Sequence, residues 1–136
     1  MVDAGILFAA ADAREADHNA ARKVLTEWPG ELVVSAFTAA EADYLILSRL
    51  GLEAEIPFIE DLASTYTVDT PDRDGFQRAA NLCRQYADLK IGLADASMIV
   101  LSERWSTRSV ASLDRRHFRA VRPLDGGAFE LHPDHR

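Results

Sequence analysis

The 136-residue chain has a single cysteine, Cys83, so it holds no internal disulfide, a pattern that fits a reducing cytoplasm. Cys83 falls within a helical pattern and is expected to be a core thiol. Positive charge is in deficit: 15 Lys and Arg against 22 Asp and Glu give a net charge of −7 and a pI near 5.0. That balance excludes a protein that coats nucleic acid indiscriminately, but not an enzyme with a local basic track. No basic leader precedes an apolar stretch, and the first apolar run is broken by Asp3. Neither a signal peptide nor a membrane span is therefore predicted, and a cytoplasmic protein is expected. Repeats, low-complexity tracts and linkers are also missing. The length suits one domain over residues 1–136.

What the chain does have is an alternation of short apolar strands and helices. Strands are predicted at Met1–Asp3, Leu32–Val34, Tyr66–Val68, Ser109–Leu113 and Phe129–His132. Helices are predicted around Ala16–Glu27, Ala39–Leu50, Glu53–Thr65 (with a kink at Pro57), Asp72–Tyr86 and Leu93–Arg104. This order implies an α/β fold with a mostly parallel sheet covered on both faces, whose ligands bind beyond the carboxyl ends of the strands.

Four carboxylates stand in apolar surroundings: Asp3, Glu41, Asp95 and Asp114. A carboxylate buried among apolar side chains is costly unless it is paired, hydrogen-bonded or bound to metal. Asp3 and Asp114 fall at the ends of predicted strands, and Glu41 and Asp95 in the first turns of predicted helices, so all four can reach one edge of the sheet. Structural roles are open to three of them. Thr38 and Glu41 have the spacing of a capping box, Asp95 suits a helix start, and Asp114 suits a cap on the turn after it. Asp3 has no such role in prospect. If the four converge, two carboxylates about 4 Å apart repel by roughly 4 kcal/mol at an effective dielectric near 20. Either some are protonated or a hard cation, Mg²⁺ or Mn²⁺, sits among them and activates water against a phosphoryl centre.

The order Asp, Glu, Asp, Asp on an α/β chain of this size resembles the PIN-domain ribonucleases, in particular the VapC-type toxins of type II toxin–antitoxin pairs. The resemblance rests on Val2-Asp3, Glu41, the segment Gly92-Leu93-Ala94-Asp95-Ala96, and Ser112-Leu113-Asp114-Arg115-Arg116-His117-Phe118. It departs at Ala4-Gly5, where the family commonly carries a hydroxyl residue, which questions an outer-shell hydroxyl near Asp3. The resemblance implies a PIN-like three-layer α/β/α fold and cleavage of structured RNA, with 5′-phosphate and 3′-hydroxyl ends. The target would be the sarcin–ricin loop of rRNA or a tRNA. It assigns catalysis to Asp3, Glu41, Asp95 and Asp114, metal ligation to Asp3, Asp95 and Asp114, and outer-shell roles to Glu41 and Ser112. It also implies a homodimer neutralised by a small VapB-type antitoxin.

Six arginines lie between Arg104 and Arg122, and Arg115, Arg116 and Arg119 are the expected RNA-binding group. The competing reading of the cluster is a solvated face with surface ion pairs. Apolar side chains on the two central helices, among them Tyr44, Leu45 and Phe58, are expected to bind the antitoxin or else to pack the core. His18, His117, His132 and His135 lack metal-ligand spacing, the last two in a frayed tail. Asp88 before Lys90 reads as a turn. A receiver domain would pair acids after its first strand, and a haloacid-dehalogenase-type phosphatase would show Asp-x-Asp where this chain has Asp3-Ala4-Gly5. A catalytically inactive PIN-like binding module is the remaining alternative.

Overall fold

The computed structural model describes residues 1–134; His135 lies outside the described residues. Seven helices and four short strands alternate along it: α1 (Ala4–Ala11), α2 (His18–Glu27), β1 (Val33–Ser35), α3 (Ala36–Leu50), α4 (Leu52–Ser64), β2 (Thr67–Asp69), α5 (Arg73–Gln85), α6 (Gly92–Arg104), β3 (Ser109–Ala111), α7 (Arg115–Ala120) and β4 (Glu130–His132). Strand β1 pairs in parallel with β2, and β3 in parallel with β4. The extended N-terminal residues join the two pairs. Val2 N–H donates to the Val33 carbonyl (3.0 Å), Ala111 N–H to Met1 (2.8 Å) and Asp3 N–H to Ala111 (2.9 Å). The expected first strand is thus reduced to one bridge, Val2 to Ala111.

Three layers follow from the period of two along these strands. Met1, Val33 and Val110 point into one core, shared with Leu82 of α5, Met98 and Leu101 of α6 and Phe118 of α7. Their neighbours Val2, Val34 and Ala111 point into the other, shared with Ile6 and Phe8 of α1, Ile46 of α3 and Phe58 of α4. Adjacent residues serving opposite cores show helices on both faces of the sheet. Residues 96–102 of α6 are all buried, as expected of a helix apolar on every side. At Gly75 a Cβ would meet Pro71 Cβ at 2.9 Å and Val100 Cγ1 at 3.2 Å, so the glycine allows α5 to lie close against α6. Cys83 is partly buried against the same core.

Two elements differ from the sequence expectation. Helix α1 replaces an irregular link: it is apolar all round, so it shows no amphipathic period, and Asp3 is its N-cap. Helix α3 begins three residues early because Ser35 caps it, its hydroxyl accepting from Phe37 N–H (3.2 Å). Thr38 is therefore buried inside the helix and caps nothing. Pro57 lies within α4, which runs through it.

Candidate active site

The N-terminal segment, β1 and β3 each hand over to a helix at their carboxyl ends, and residues of these helix starts, with the first turn of α6, line one cavity of about 540 Å³. Asp3, Glu41, Asp95 and Asp114 all line it, with the Gly92–Ala94 turn, Leu45 and His117. Asp3 Oδ1 accepts from Ala4 N–H (2.8 Å) and Asp114 Oδ1 from Arg116 N–H (3.2 Å), so both acids cap the helices they precede. Asp3 therefore does have the capping role denied it from sequence. Asp95 sits in the first turn of α6, which the chain enters through left-handed residues, Lys90 (φ 50°) and Gly92 (φ 76°). Glu41 lies in the second turn of α3 rather than the first, a consequence of the earlier cap at Ser35. The structure brings together all four residues that the sequence singled out.

Their electrostatics differ by depth. Burial pushes the Asp3 carboxyl above its usual range, opposed by hydrogen bonds from Ser112 and Ala4 and reinforced by the charge of Asp114. Burial likewise raises Asp95 to about 6, against the His117 hydrogen bond and with the charges of Asp3 and Glu41 adding to the rise. Glu41 is raised by burial and by Asp3. Three acids that each resist ionisation near one another make a cavity short of positive charge.

The acids are held by neighbours of which sequence reasoning found only one. Ser112 Oγ lies 2.8 Å from both Asp3 Oδ2 and the Asp114 carbonyl oxygen, and with one proton it donates to one at a time. A hydroxyl thus reaches Asp3 despite Ala4-Gly5. His117 was set aside for lack of ligand spacing, yet its Nδ1 is 2.7 Å from Asp95 Oδ2. An ionised carboxylate has no proton to give, so Nδ1–H donates. Only the i,i+3 step from Asp114 to His117 across α7 hinted at this placement. Ser97 donates to the Ala94 carbonyl (2.7 Å), which leaves Ser35 to donate to Ser97 (2.6 Å). That buried pair ties the start of α3 to the second turn of α6, two residues beyond Asp95.

Among the described residues, no three His, Cys, Asp or Glu groups converge closely enough to enclose a metal ion by themselves. The set still fits a hard divalent cation, because Mg²⁺ keeps several of its waters and takes one or two carboxylates directly. Four all-oxygen donors, three of them pushed toward protonation by burial, suit that partial shell.

The arginine cluster divides in two. Arg104 pairs with Asp69 (2.9 Å), Arg108 with Asp125 (3.4 Å), and Arg122 donates to the Gly127 carbonyl (3.3 Å). For these three the solvated, paired face is what the structure shows. Arg116 and Arg119 are exposed and make no ion pair among the described residues; Arg115 is half-buried, with Nε and one terminal nitrogen buried and unpartnered. Of the residues expected to bind a protein partner, Tyr44 is 71% exposed, but Phe58 is 6% exposed and belongs to the core. Leu45 borders the acidic cavity. His132 is ordered in β4 rather than frayed, its ring edge-on to Trp28 at 5.3 Å. Asp88 lies in a single 3-10 turn, 87–89, as the turn reading expected.

Residues 1–123 match the PIN domain family. The chain is 38% identical over 134 residues to Ribonuclease VapC26 of Mycobacterium tuberculosis (strain ATCC 25618 / H37Rv), covering 98% of this chain and 99% of that protein. Its fold is similar to the crystal structure of Mycobacterium tuberculosis VapC20, described as a sarcin–ricin loop cleaving toxin. The TM-score is 0.77 at 17% identity, over 85% of this chain and 89% of that one.

Proposed function

The chain belongs to the PIN-domain family, with a VapC ribonuclease as a full-length relative, and from that premise we propose that it is a divalent-metal-dependent endoribonuclease toxin acting on structured RNA. The observation that carries the reading is the joint placement of Asp3, Glu41, Asp95 and Asp114 in one cavity that lacks compensating positive charge. Asp3, Asp95 and Asp114 are the nearer ligands of Mg²⁺ or Mn²⁺, and Glu41, the more peripheral, acts through water. When bound, the cation lowers the pKa of a water and neutralises developing charge on the phosphoryl oxygens.

The chain's own groups do the rest. Ser112 fixes Asp3, and His117 fixes Asp95 through Oδ2, which leaves Oδ1 for the cavity. Arg116 and Arg119, with Arg115 beside them, hold backbone phosphates next to the acids. The water oxygen bonds to phosphorus, the bond to the 3′ oxygen breaks, and that oxygen takes up a proton, giving 5′-phosphate and 3′-hydroxyl ends. With a net charge of −7, overall attraction to RNA is weak, which favours a few targets recognised by shape, cut in an exposed loop. The sarcin–ricin loop is the first candidate, supported by the description of VapC20, and a tRNA loop the second.

The unit is a single cytoplasmic PIN-like domain that pairs as a homodimer and is silenced by a small VapB-type antitoxin. Five exposed apolar residues on the α3–α4 hairpin support the partner surface: Tyr44, Leu47, Leu52, Ile56 and Ile59. Leu45 connects that surface to the cavity. No described helix is long and apolar enough to cross a membrane. Incubation of labelled RNA with Mg²⁺, beside Asp95→Asn and an EDTA control, tests the reading; undiminished cleavage in EDTA refutes it. Tyr44→Asp with Leu47→Asp is expected to abolish antitoxin binding in a folded protein.

A further inference from the structure

At the opposite edge of the sheet lies a second cavity, of about 590 Å³, which none of the proposed ribonuclease chemistry uses. The amino-terminal residues of three extended segments, Met1, Val33 and Ser109, line it, and so do Trp28 and Trp105. These are the only tryptophans of the chain, and each is the C-cap of a helix, Trp28 of α2 and Trp105 of α6. Trp105 gives its indole N–H to Asp69 Oδ2 (2.9 Å), outside the cavity lining, so what it offers the cavity is ring surface.

The Asp, Glu, Lys and Arg side chains of the lining have one sign; the His132 imidazole, edge-on to Trp28, and the hydroxyls of Thr107 and Ser109 line it as well. Glu27, Glu31 and Glu130 are exposed at the cavity, and no Lys or Arg among the described residues pairs with any of them. Glu31 accepts a hydrogen bond from the Thr67 hydroxyl (2.8 Å). The Met1 amino group donates to the Ser109 carbonyl, and burial lowers its pKa to about 5, so it adds no positive charge at neutral pH. Two helices also end here, and their C-terminal carbonyls add partial negative charge. An anion is excluded by this field. A hard metal ion keeps its waters and leaves the tryptophan surface without a partner.

An aromatic wall beside carboxylates is the arrangement that binds an organic cation, whose apolar body meets the ring face while its charge meets the acids. The volume is of the order that holds a small ligand. We infer that this cavity is a ligand site for a small organic cation, an alkylammonium or guanidinium with an apolar body. Trp28 and Trp105 receive that body, and Glu27, Glu31 and Glu130 face its charge.

The site can be tested without any assay of RNA cleavage, because both tryptophans line it and report through intrinsic fluorescence. The full chain is titrated with benzyltrimethylammonium, with benzyl alcohol as its uncharged counterpart and benzoate as its anionic one. A saturable change is expected with the cation, at least about tenfold tighter than with benzyl alcohol and absent with benzoate. Glu31→Gln with Glu130→Gln keeps acceptor oxygens at both positions and is expected to weaken the cation about tenfold. Asp95→Asn is expected to leave the titration in place, which separates this cavity from the acidic one. No saturation at millimolar cation, or equal response to benzyl alcohol, overturns the inference. A short arginine peptide that saturates the signal more tightly than any free amine or guanidinium also overturns it, by assigning the cavity to a protein side chain.

Discussion

The two cavities lie at opposite ends of the same strands, with Met1 in one and Asp3 in the other. Both carry carboxylates, but the fold presents them differently. At the carboxyl edge the N-terminal segment, β1 and β3 are each followed by a helix start, and the residues there are caps: Asp3, Ser35 and Asp114. Helix N-termini favour negative charge, so acids can be drawn inward at this edge, where burial raises Asp3 and Asp95. At the amino edge helices end. There the side chains delivered inward are tryptophans, and the carboxylates of Glu27, Glu31 and Glu130 remain at the exposed margin. Strand direction thus sorts the carboxylates into two settings: one lined by helix-start acids, which we propose for a hard cation and phosphate, and one walled by tryptophans, which we infer takes an organic cation.

The largest expected effect is confined to the acidic edge. Asp95→Asn is expected to lower RNA cleavage by about a thousandfold, read as initial rates on a labelled loop substrate with saturating Mg²⁺. A loss below about tenfold would break the comparison, because the raised carboxyl would then be incidental. Next comes Ser112→Ala, which removes the hydroxyl held at 2.8 Å from Asp3. Its cost is expected at about 10- to 100-fold in activity or metal affinity, the usual range for a group that orients a ligand. Restoration by Ser112→Thr would show that the hydroxyl, rather than the packing, is responsible.

These two substitutions also mark what was legible in the sequence. The acids could be found because apolar neighbours on both sides imply burial, and because strand ends and helix starts share an edge. Of their supports only Ser112, two residues before Asp114, could be found. His117 reaches Asp95 across 22 positions, and Ser35 reaches Ser97 across 62, contacts that exist only once the chain is folded. Helix α1 escaped notice because a helix with no polar residue in it has no polar face to set a period. Whether Tyr44 and Phe58 face a partner or the core stayed open for the related reason that composition does not distinguish an inward ring from an outward one on a two-sided helix; Phe58 packs the core and Tyr44 is exposed. The tryptophan cavity had no local signature either, since Trp28 and Trp105 meet only through the order of the strands between them.

A smaller effect concerns the basic residues beside the acids. Arg116→Gln with Arg119→Gln removes two exposed cations that make no ion pair among the described residues, while Arg108→Gln removes one already engaged by Asp125 at 3.4 Å. The double variant is expected to weaken RNA binding and to flatten the slope of log affinity against log salt by about 1 to 2. The Arg108 variant is expected to change neither. Equal slopes for the two variants, measured by filter binding over a salt series, would show that phosphates do not track toward the acidic edge.

The smallest effect reads the acidic edge through stability, without RNA. Asp95 is raised to about 6 in the folded chain, above the value of about 3.9 for an unfolded aspartate, so the folded state holds the proton more tightly. Its contribution to stability is therefore complete below about pH 4 and is lost as pH rises through about 6. In EDTA the protein is expected to gain stability between pH 7 and pH 5, on the order of 1 kcal/mol from this residue once solvent screening of a partly exposed group is allowed for. Asp95→Asn should abolish that gain and hold the protein near its low-pH stability at pH 7, because the amide carries no charge to repel Asp3 and Glu41. Mg²⁺ should act in the opposite direction, stabilising the wild type more at pH 7 than at pH 5, since it competes with the proton for the same carboxylates. Urea midpoints at the two pH values, with and without Mg²⁺, measure all three shifts. If the wild type in EDTA loses rather than gains stability on going from pH 7 to pH 5, and Asp95→Asn leaves that change unaltered, the crowding of charge at the carboxyl edge is not what distinguishes the two cavities.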